Sequence, residues 1–554
     1  MIGALRERVR ESLRSFGRVF RNPNIRRIQL AWAASIVAHW AYGVALAVWA
    51  YDKGGAAAVG LVGLVRFIPP AIASPVMAMA ADRIGRNRIV VLADLSRGLM
   101  LAGVAIAVWA DGPEWLVYVL AGLVAVAYSA VRPATAALMP SLARTPDELT
   151  AANITTSTIE SVGIFGGPAL GGVLLALTNA EVVFAASAAA FLFAAFMVSR
   201  VVVAEPEEVQ EREGLMREFF AGFVALWQER GLRVLVLLLI SQTLVAGALN
   251  VLIVVSALEL LEIGEQGVGF LNSAVGIGGL LGALAAAILV GRRRLAADFT
   301  LGIVLWGIPI ALIGVWPDTT VALVLLAVVG LGNTLVDVSA LTLLQRVVSE
   351  DVLARVFGAL QGLWVGTIGL GSILAPLLIA AVGIRGALLI TGALLPVLAA
   401  LLWRRLSALD EAARIPEREL ELLGGLALFR PLPPPVLEGL ASAMVPMSVE
   451  AGREIVREGE AGDRFYVIAS GEVEVVKDGE VINEEGPGEF FGEISLLRDV
   501  PRTATVRAKT DVDLRALERD DFIAAVTGHA ASAEAADAII ATRLSSLRPG
   551  LASV

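Results

Sequence analysis

Residues 320–345 read TVALVLLAVVGLGNTLVDVSALTLLQ, an apolar run in which Asp337 is the only ionisable side chain. About twenty apolar residues in a helix cross the hydrocarbon core of a bilayer, so this run predicts a transmembrane helix. Eleven further runs of similar length surround it. The twelve predicted spans are 28–50, 58–80, 88–110, 115–139, 152–177, 181–203, 232–258, 267–290, 297–316, 320–345, 356–382 and 385–406.

The overall composition agrees with a chain that lies largely in lipid. Of the 554 residues, 57% are hydrophobic and only 18% are charged, whereas a soluble domain carries about 25% charged residues. No spanning run occurs after residue 406. The sequence therefore predicts a polytopic α-helical membrane protein of two six-helix lobes, followed by a soluble domain.

Charge separates these two parts of the chain. From Glu411 to the end there are 15 basic and 26 acidic residues, a net charge of −11, and the remainder carries a net +2. An acidic domain of this kind argues against nucleic acid as a partner. The absence of cysteine excludes disulfides, thiolate metal sites and cysteine nucleophiles.

The loops between the predicted spans alternate between arginine-rich and acidic. Cytoplasmic loops carry the excess of Lys and Arg, so the arginine-rich set, both termini and the soluble domain are predicted to be cytoplasmic, at a plasma (inner) membrane. The arginine-rich segment 1–27 is interpreted either as an amphipathic helix on an anionic leaflet or as a solvated positive flank. The arginine-rich set comprises Arg83, Arg86, Arg88, Arg144, Arg212, Arg217, Arg230, Arg292, Arg293, Arg294, Arg346 and Arg355.

The two halves of the membrane part have similar sequence features at corresponding positions, as the halves of transporters built from repeats do. The basic loop after the second span has a counterpart after the eighth, and Gly167-Pro168 in the fifth span has a counterpart in Ala375-Pro376 in the eleventh. The predicted organisation is a cytoplasmic amphipathic segment (1–27), a six-span lobe (28–203), a central cytoplasmic loop (204–231), a second six-span lobe (232–406), a linker (407–416) and a soluble domain (417–554).

Two segments of the membrane part are similar to a known family. The loop after the second span reads AMAADRIGRNR at 78–88, and the fifth span contains GIFGGPALGG at 163–172. Over roughly residues 20–406 the chain resembles the major facilitator superfamily. The loop looks like the signature of the whole family, and the fifth-span segment is similar to a pattern found in its proton-coupled exporters. Ala78 departs from the glycine that the family usually has at this position.

The resemblance implies roles for residues of both segments. It implies that the loop residues gate the two lobes on the cytoplasmic side, and that the small residues of the fifth span permit close helix contact while proline supplies a bend. The segments RPATAALMP at 132–140 and AAN at 151–153 look like the branch of macrolide and siderophore exporters. The residues concerned are Asp82, Arg83 and Arg86 in the loop, and Gly163, Gly167, Pro168, Gly171 and Gly172 in the span.

Ionisable side chains inside the spans need a partner or a role, because each costs roughly 2.5–3.5 kcal/mol in a bilayer. Glu160 and Asp337, one in each lobe, are the candidates for binding the proton that drives export. Either Arg66 or Arg132 could favour an ionised carboxylate when close to it. The alternative is a set of fixed ion pairs, which is the interpretation preferred for Asp94 with Arg97. A further candidate is His39, although a satisfied polar residue among Trp40 and Tyr42 is the favoured interpretation.

The soluble domain begins with helical composition and then changes to short alternating strands. The segment EVEVVKDGEVI at 472–482 predicts a β-hairpin with an Asp-Gly turn, and the strand spacing predicts a small jelly-roll barrel flanked by helices. Two segments, IVREGEAGDRFYVIASG at 455–471 and FGEISLLRDVPRTATV at 491–506, are similar to the CRP-like cyclic-nucleotide-binding domain family.

The second of these segments carries the predicted binding chemistry. Arg502 can pair with a phosphate through charge-assisted hydrogen bonds, and Glu493 can accept a bond from a ribose 2′-hydroxyl. A short helix starting near Gly492 would aim backbone N–H groups at the phosphate. The alternative is an unliganded barrel in which Glu493 and Arg502 pair with each other. The predicted binding residues are Phe491, Gly492, Glu493, Ile494, Ser495, Arg502, Thr503 and Ala504, and they leave the choice between cAMP and cGMP open.

These observations distinguish between several possible functions. The preferred hypothesis is a secondary transporter, a proton-coupled exporter of small molecules, regulated by cytosolic cAMP or cGMP and needing no cofactor. A non-transporting membrane receptor on the same scaffold is the alternative. A channel lacks support because the sequence has no carbonyl filter and no arginine-rich voltage helix. An enzyme has least support, because no nucleophile–base set, P-loop or metal cluster is found.

Overall fold

A computed structural model of the chain describes residues 20–202, 230–289, 295–347, 350–412 and 417–547. Most of the predicted amphipathic segment 1–27 and of the central loop 204–231 lies outside the described residues, as does the end of the linker. The chain divides into two compact units, Met1–Ala413 and Arg414–Val554. Each unit is described by itself.

Within the described ranges, ten helices are long and apolar enough to cross a membrane. Each of the predicted spans overlaps one of these helices. They are α1 (Pro23–Ile84), α2 (Arg86–Trp109), α3 (Glu114–Leu142), α4 (Pro146–Leu177), α5 (Ala180–Ser199), α6 (Arg230–Val255, continued by a π-helical turn at Ser256–Leu260), α7 (Gly264–Leu289), α8 (Leu295–Val315), α9 (Thr319–Val347) and α10 (Glu350–Ala412).

Two of the ten helices are interrupted by glycine. Helix α1 has 62 residues and contains Gly55 at a φ of 59°, and helix α10 has 63 residues and contains Gly383 at a φ of 72°. Glycine adopts positive φ without the steric cost that other residues meet. The parts before and after each glycine coincide with two predicted spans. Helix α10 continues to Ala412, six residues into the segment predicted as a linker.

Small residues set how closely the helices of the first lobe pack. A Cβ atom at Gly163 would lie 2.6 Å from Ile36, and one at Gly167 would lie 2.6 Å from Trp40 Cβ. One at Gly171 would lie 2.9 Å from the carbonyl oxygen of Ala41. These three glycines recur every four residues and form one face of α4, which therefore packs directly on the backbone of α1.

Glycines also mark where the two lobes meet, along α4 with α7 and along α1 with α10. A Cβ atom at Gly172 would lie 2.8 Å from the carbonyl oxygen of Gln266 and 3.1 Å from the Cα of Gly269. One at Gly63 would lie 2.2 Å from the Cβ of Ser372. The fifth predicted span thus uses one glycine face inside its lobe and another against the opposite lobe.

The second unit is a β-roll between helices. Its two four-stranded sheets have the strand orders β1-β8-β3-β6 and β2-β7-β4-β5. In chain order the elements are α11 (Glu417–Gly425), α12 (Pro434–Ala443), β1 (Val445–Val449), β2 (Glu454–Val456), β3 (Arg464–Ser470), β4 (Val473–Lys477), β5 (Glu480–Glu485), β6 (Phe490–Phe491), α13 (Glu493–Leu497), β7 (Thr505–Ala508), β8 (Val512–Glu518), α14 (Arg519–Thr527) and α15 (Ala530–Leu547).

The predicted hairpin is confirmed as the pair β4–β5. Asp478 and Gly479 form its turn with φ values of 51° and 85°, the two positive values that a type I′ turn requires. Phe465 of β3 stacks on Phe522 of α14 with ring centroids 4.5 Å apart, and Phe429 meets both rings edge to face. This aromatic core fixes the helices on one end of the roll.

The glycine contact between the lobes can be tested with Gly172→Ala. The added Cβ must move backbone atoms of α7, so we expect the free energy of unfolding to fall by about 1–3 kcal/mol. Thermal unfolding of the purified full chain measures this. The matched control is Gly166→Ala on the same helix, where a Cβ meets no atom within 4 Å and alanine should stabilise the helix slightly. Equal melting temperatures for the two variants would contradict the contact.

Candidate functional site

A cavity of about 210 Å³ lies between the sheet β2-β7-β4-β5, helix α13 and helix α15. The structure brings all eight predicted binding residues together in its wall. Apolar side chains of the strands and several charged groups line it together. The lining residues are Val456, Val475, Ile482, Asn483, Glu485, Phe491, Gly492, Glu493, Ile494, Ser495, Arg502, Thr503, Ala504, Val506 and Arg543.

Arg502 is one of the two arginines that line this cavity, and its side chain is 4% exposed. Its Nη1 donates to Ser495 Oγ at 2.9 Å and to the carbonyl oxygen of Gly492 at 3.2 Å. Its Nη2 donates to the carbonyl oxygen of Arg464 at 2.8 Å and to Asp463 Oδ1 at 3.2 Å. The carboxylate of Asp463 is 71% exposed, so solvent weakens its pairing with the guanidinium. Displacement of this exposed carboxylate would free an N–H of the guanidinium for an anion in the cavity.

The sequence shapes this part of the site through Gly492. It has a φ of 96° at the residue before α13, and a Cβ there would lie 2.7 Å from Arg502 Nη1. Glycine is needed both for the positive φ and for the approach of the guanidinium. Helix α13 begins at the next residue, as predicted. The residue before Gly492, Phe491, stacks on Tyr466 with the ring centroids 5.0 Å apart.

A second charged group comes from the C-terminal helix. Arg543 of α15 donates to Glu493 Oε1 at 2.9 Å, and its Nη2 lies 3.0 Å from Glu485 Oε1 at the end of β5. Glu493 is 1% exposed and Glu485 is 5% exposed. In the described part of the chain, the Oε2 atoms of both carboxylates are buried without a hydrogen-bond partner. Each offers an acceptor position to a donor from a ligand.

Burial dominates the acid–base behaviour of these two carboxyls. It raises the pKa of Glu485 to about 7, against the opposing effect of the Arg543 guanidinium. Burial also raises the pKa of Glu493, and Arg543 again opposes it. Loss of water around a carboxylate disfavours its charged form, and one guanidinium shared by two carboxylates compensates only in part.

This geometry corrects one interpretation and adds two residues. The alternative in which Glu493 pairs with Arg502 is wrong, because Glu493 pairs with Arg543 and the described bonds of Arg502 go elsewhere. No motif in the sequence points to Arg543, although it is the only basic residue between positions 533 and 547. Nor does any motif distinguish Glu485 from Glu484 beside it.

The membrane residues singled out from the sequence lie in several polar clusters. Arg132 Nη2 is 3.0 Å from Glu160 Oε1, so these two candidates form an ion pair between α3 and α4. Asp337 accepts a hydrogen bond from Asn333 at 2.9 Å, and Asn333 in turn accepts from Gln242 and Trp306. The structure thus places both candidate carboxylates, Glu160 and Asp337, within polar clusters.

The remaining candidates lie in the first lobe. Asp94 and Arg97 form the expected pair at 2.7 Å, fully buried. The Arg66 guanidinium lies 5.0 Å from the centroid of the Tyr42 ring. The His39 ring stacks on Tyr128, with the ring centroids 4.1 Å apart.

The residues predicted to gate the lobes lie at the junction of α1, which ends at Ile84, and α2, which begins at Arg86. Arg83 is exposed, and Arg86 donates to the carbonyl oxygen of Ala137 in the same lobe at 3.1 Å. Gly85 between the two helices has a φ of 95°. The side chain of Asp82 lies outside those that the structure describes.

A multi-pass helical bundle in two lobes, continued by a β-roll with a buried arginine and an anion-sized cavity, defines a membrane transporter scaffold that carries a ligand-binding domain. Comparison with protein families agrees with this class. The model of the Major Facilitator Superfamily matches residues 30–369 and, in an overlapping second match, residues 267–452. The chain belongs to the Major Facilitator Superfamily. The model of the cyclic nucleotide-binding domain matches residues 446–529, so the second unit is a domain of that family.

Individual relatives match the second unit. A cAMP-dependent protein kinase regulatory subunit of Yarrowia lipolytica is 48% identical over 85 residues, 15% of this chain and 23% of the relative. A cyclic nucleotide-gated potassium channel of Mesorhizobium japonicum is 42% identical over 105 residues, 19% of this chain and 29% of the relative. The chain therefore spans less than a third of the length of either relative.

Solved structures similar to the chain also match about a quarter of it. The regulatory domain of Toxoplasma gondii PKA with cAMP is 34% identical and covers 23% of this chain and 50% of that chain, with a TM-score of 0.21. The sensor domain of the transcriptional regulator DNR from Pseudomonas aeruginosa is 25% identical and covers 23% of this chain and 92% of that chain, also with a TM-score of 0.21.

The role of Arg543 in holding α15 on the roll can be tested with Arg543→Ala at pH 8. The change leaves two buried carboxylates without their cation, a loss of about 3–5 kcal/mol when such a pair is broken. We expect faster hydrogen exchange at the backbone amides of α15 in the full chain. The control is Arg498→Ala, which removes an exposed pair with Asp537 of the same helix and should change exchange little. Equal exchange in the two variants would refute this role.

Proposed function

We propose that this protein is a secondary active transporter, a proton-coupled exporter of small molecules, whose transport cycle is regulated by a cyclic nucleotide bound to its C-terminal domain. The observation that carries the regulatory part is the buried guanidinium of Arg502, held by four acceptors in a cavity lined by all the predicted binding residues. The family membership carries the transport part.

The chemistry of the cavity matches the groups of a 3′,5′-cyclic nucleotide. Its phosphate carries one negative charge, which Arg502 would pair with through charge-assisted hydrogen bonds. Its only free sugar hydroxyl would donate to the unpartnered Oε2 of Glu493. The apolar strand residues Val456, Val475 and Ile482 would then face the base. Either cAMP or cGMP meets these requirements.

The proposed topology has twelve spans with a cytoplasmic sensor at the plasma (inner) membrane. Each of the two interrupted helices, α1 and α10, would cross the bilayer twice, since 62 and 63 residues are about three times the length that one crossing needs. The arginine-rich loops would then lie in the cytoplasm together with both termini. In this topology the nucleotide pool that reaches the sensor is the cytosolic one.

Regulation requires that the nucleotide bind one state of the transporter better than another. A typical coupling free energy of 1–3 kcal/mol would shift the balance between the two lobe arrangements by roughly 5- to 150-fold. The glycine contacts of α4 with α7 and of α1 with α10 are the surfaces that such a rearrangement would break or form. The nucleotide would therefore act on transport by biasing these contacts.

Flux measurements test this regulation. The full chain is reconstituted in proteoliposomes under a pH gradient, with a macrolide as the probe cargo because the exporter branch that the sequence resembles includes macrolide exporters. We expect cAMP or cGMP to change the flux at least severalfold, and Arg502→Ala to abolish that change while leaving basal flux intact. The control Arg507→Ala removes an exposed pair with Glu474 and should keep the nucleotide effect.

The outcomes separate the hypotheses. A flux that ignores both nucleotides would refute the regulation, and nucleotide binding without any flux would favour the non-transporting receptor.

Proton coupling is proposed to use Glu160 in the first lobe and Asp337 in the second. Glu160→Gln and Asp337→Asn keep the shape of each side chain but cannot change charge, so flux should lose its dependence on the pH gradient in at least one of them. The matched control is Asp318→Asn, a loop carboxylate that caps α9 through the backbone N–H of Val321, because asparagine retains that cap. Gradient-driven flux at the wild-type level in both variants would exclude the two carboxylates.

A further inference from the structure

Two buried carboxylates in the nucleotide cavity share a single guanidinium. Glu485 Oε1 lies 3.0 Å from Arg543 Nη2, and Glu493 Oε1 lies 2.9 Å from Arg543 Nη1. Both acids are at least nineteen-twentieths buried, and both have an unpartnered Oε2 in the described part of the chain. When both are ionised, this cluster carries one negative charge more than its cation neutralises.

The groups that surround Glu485 do not remove this excess. Its own strand contributes Asn483, which favours the ionised carboxylate, and the turn before β6 contributes Glu489, which disfavours it. Helix α13 contributes Glu493 and helix α15 contributes Arg543. On the neighbouring strand β4 its partner is the apolar Val473. Apart from Arg543, the charged groups that act on Glu485 are therefore acidic.

A bound cyclic nucleotide would make the excess larger. Its phosphate adds a further negative charge at Arg502, and its hydroxyl needs Glu493 to remain an ionised acceptor. Glu485 is not required for either contact. Protonation of Glu485 would relieve the repulsion, leave Arg543 to Glu493 and keep the hydroxyl acceptor in place.

We propose that Glu485 is a second acidic residue of the nucleotide site and that binding of a cyclic nucleotide is coupled to uptake of one proton by Glu485. The proton moves from solvent to a carboxylate oxygen, and no bond in the nucleotide changes. This inference rests on the proposed nucleotide binding and specifies its regulation. The sensor would then respond to cytosolic acidity as well as to nucleotide concentration.

The burial of Glu485 supports a response within the pH range of the cytosol. Burial raises the pKa of Glu485 to about 7 before a nucleotide is present, and an added anion raises the pKa of a nearby carboxyl further. Below this pH the carboxyl is neutral and binding needs no proton, whereas above it binding must take one up. Affinity for the nucleotide should consequently be higher at pH 6 than at pH 8.

This coupling would suit an exporter that exchanges protons for cargo. Each exchange brings protons into the cytosol, and the acid would strengthen nucleotide binding at the same molecule. The link between proton entry and the sensor would depend on Glu485, and its sign on transport would follow the sign of the nucleotide effect.

Titration calorimetry with cAMP on the purified full chain tests the proposal. We expect the Kd to rise as pH increases from 6 to 8, most steeply above pH 7, with a limit of about tenfold per pH unit because one proton is coupled. Repeating the titration at pH 8 in two buffers with different ionisation enthalpies should show net proton uptake by the wild-type protein. This second measurement does not depend on any variant.

Two variants of neighbouring glutamates complete the test. Glu485→Gln should bind cAMP with a Kd that no longer varies between pH 6 and 8. The control Glu484→Gln, whose side chain pairs with Lys509 at 2.6 Å on the outer face of β5, should keep the wild-type dependence. Two results would overturn the coupling while leaving the proposed function intact. One is a wild-type Kd that does not change with pH, and the other is a Kd of Glu485→Gln that depends on pH as the wild-type Kd does. Absence of binding of both cAMP and cGMP at every pH would instead refute the regulatory part of the proposed function.

Discussion

The buried guanidinium of Arg502 is the interaction on which the sensor depends. A charge removed from water is costly unless hydrogen bonds replace the lost solvation, and here two carbonyl oxygens, a hydroxyl and a carboxylate do so. These acceptors come from the start of β3, from the glycine before α13 and from α13 itself. The requirement to satisfy one cation therefore brings separate parts of the roll together, and the cavity forms around it.

The same constraint operates more severely in the membrane unit, where lipid offers no hydrogen bonds. Several of its ionisable groups are accordingly paired or bonded: Asp94 with Arg97, Glu160 with Arg132, and Asp337 with Asn333. Without a hydrophobic force between helices in lipid, close packing holds them together. This explains why glycines line both the contact of α4 with α1 and its contact with α7.

Local sequence patterns predicted much of this structure. The features that they did not predict depend on residues that only the tertiary fold brings together. Apolar run length placed all twelve predicted spans on helices, and the Asp478-Gly479 pair predicted the hairpin because its backbone requirement is local. The cavity residues of 491–504 were predicted because the motif keeps them close in sequence. Arg543 lies in the cavity beside Glu493, although the two residues are 50 positions apart in the sequence. Glu485 and Glu484 are adjacent residues of the same type, and they differ only in the face of β5 that each occupies. No short-range pattern encodes either relation.

The central claim is that a nucleotide held at Arg502 changes how the two lobes are arranged. The chain has no cysteine, so spin labels on Arg144→Cys at the end of α3 and Gln345→Cys near the end of α9 report one distance between the lobes. Double electron–electron resonance on the reconstituted full chain should show a shifted distance distribution with saturating cAMP or cGMP, and no shift when Arg502→Ala is added. An unchanged distribution with nucleotide demonstrably bound would contradict the account.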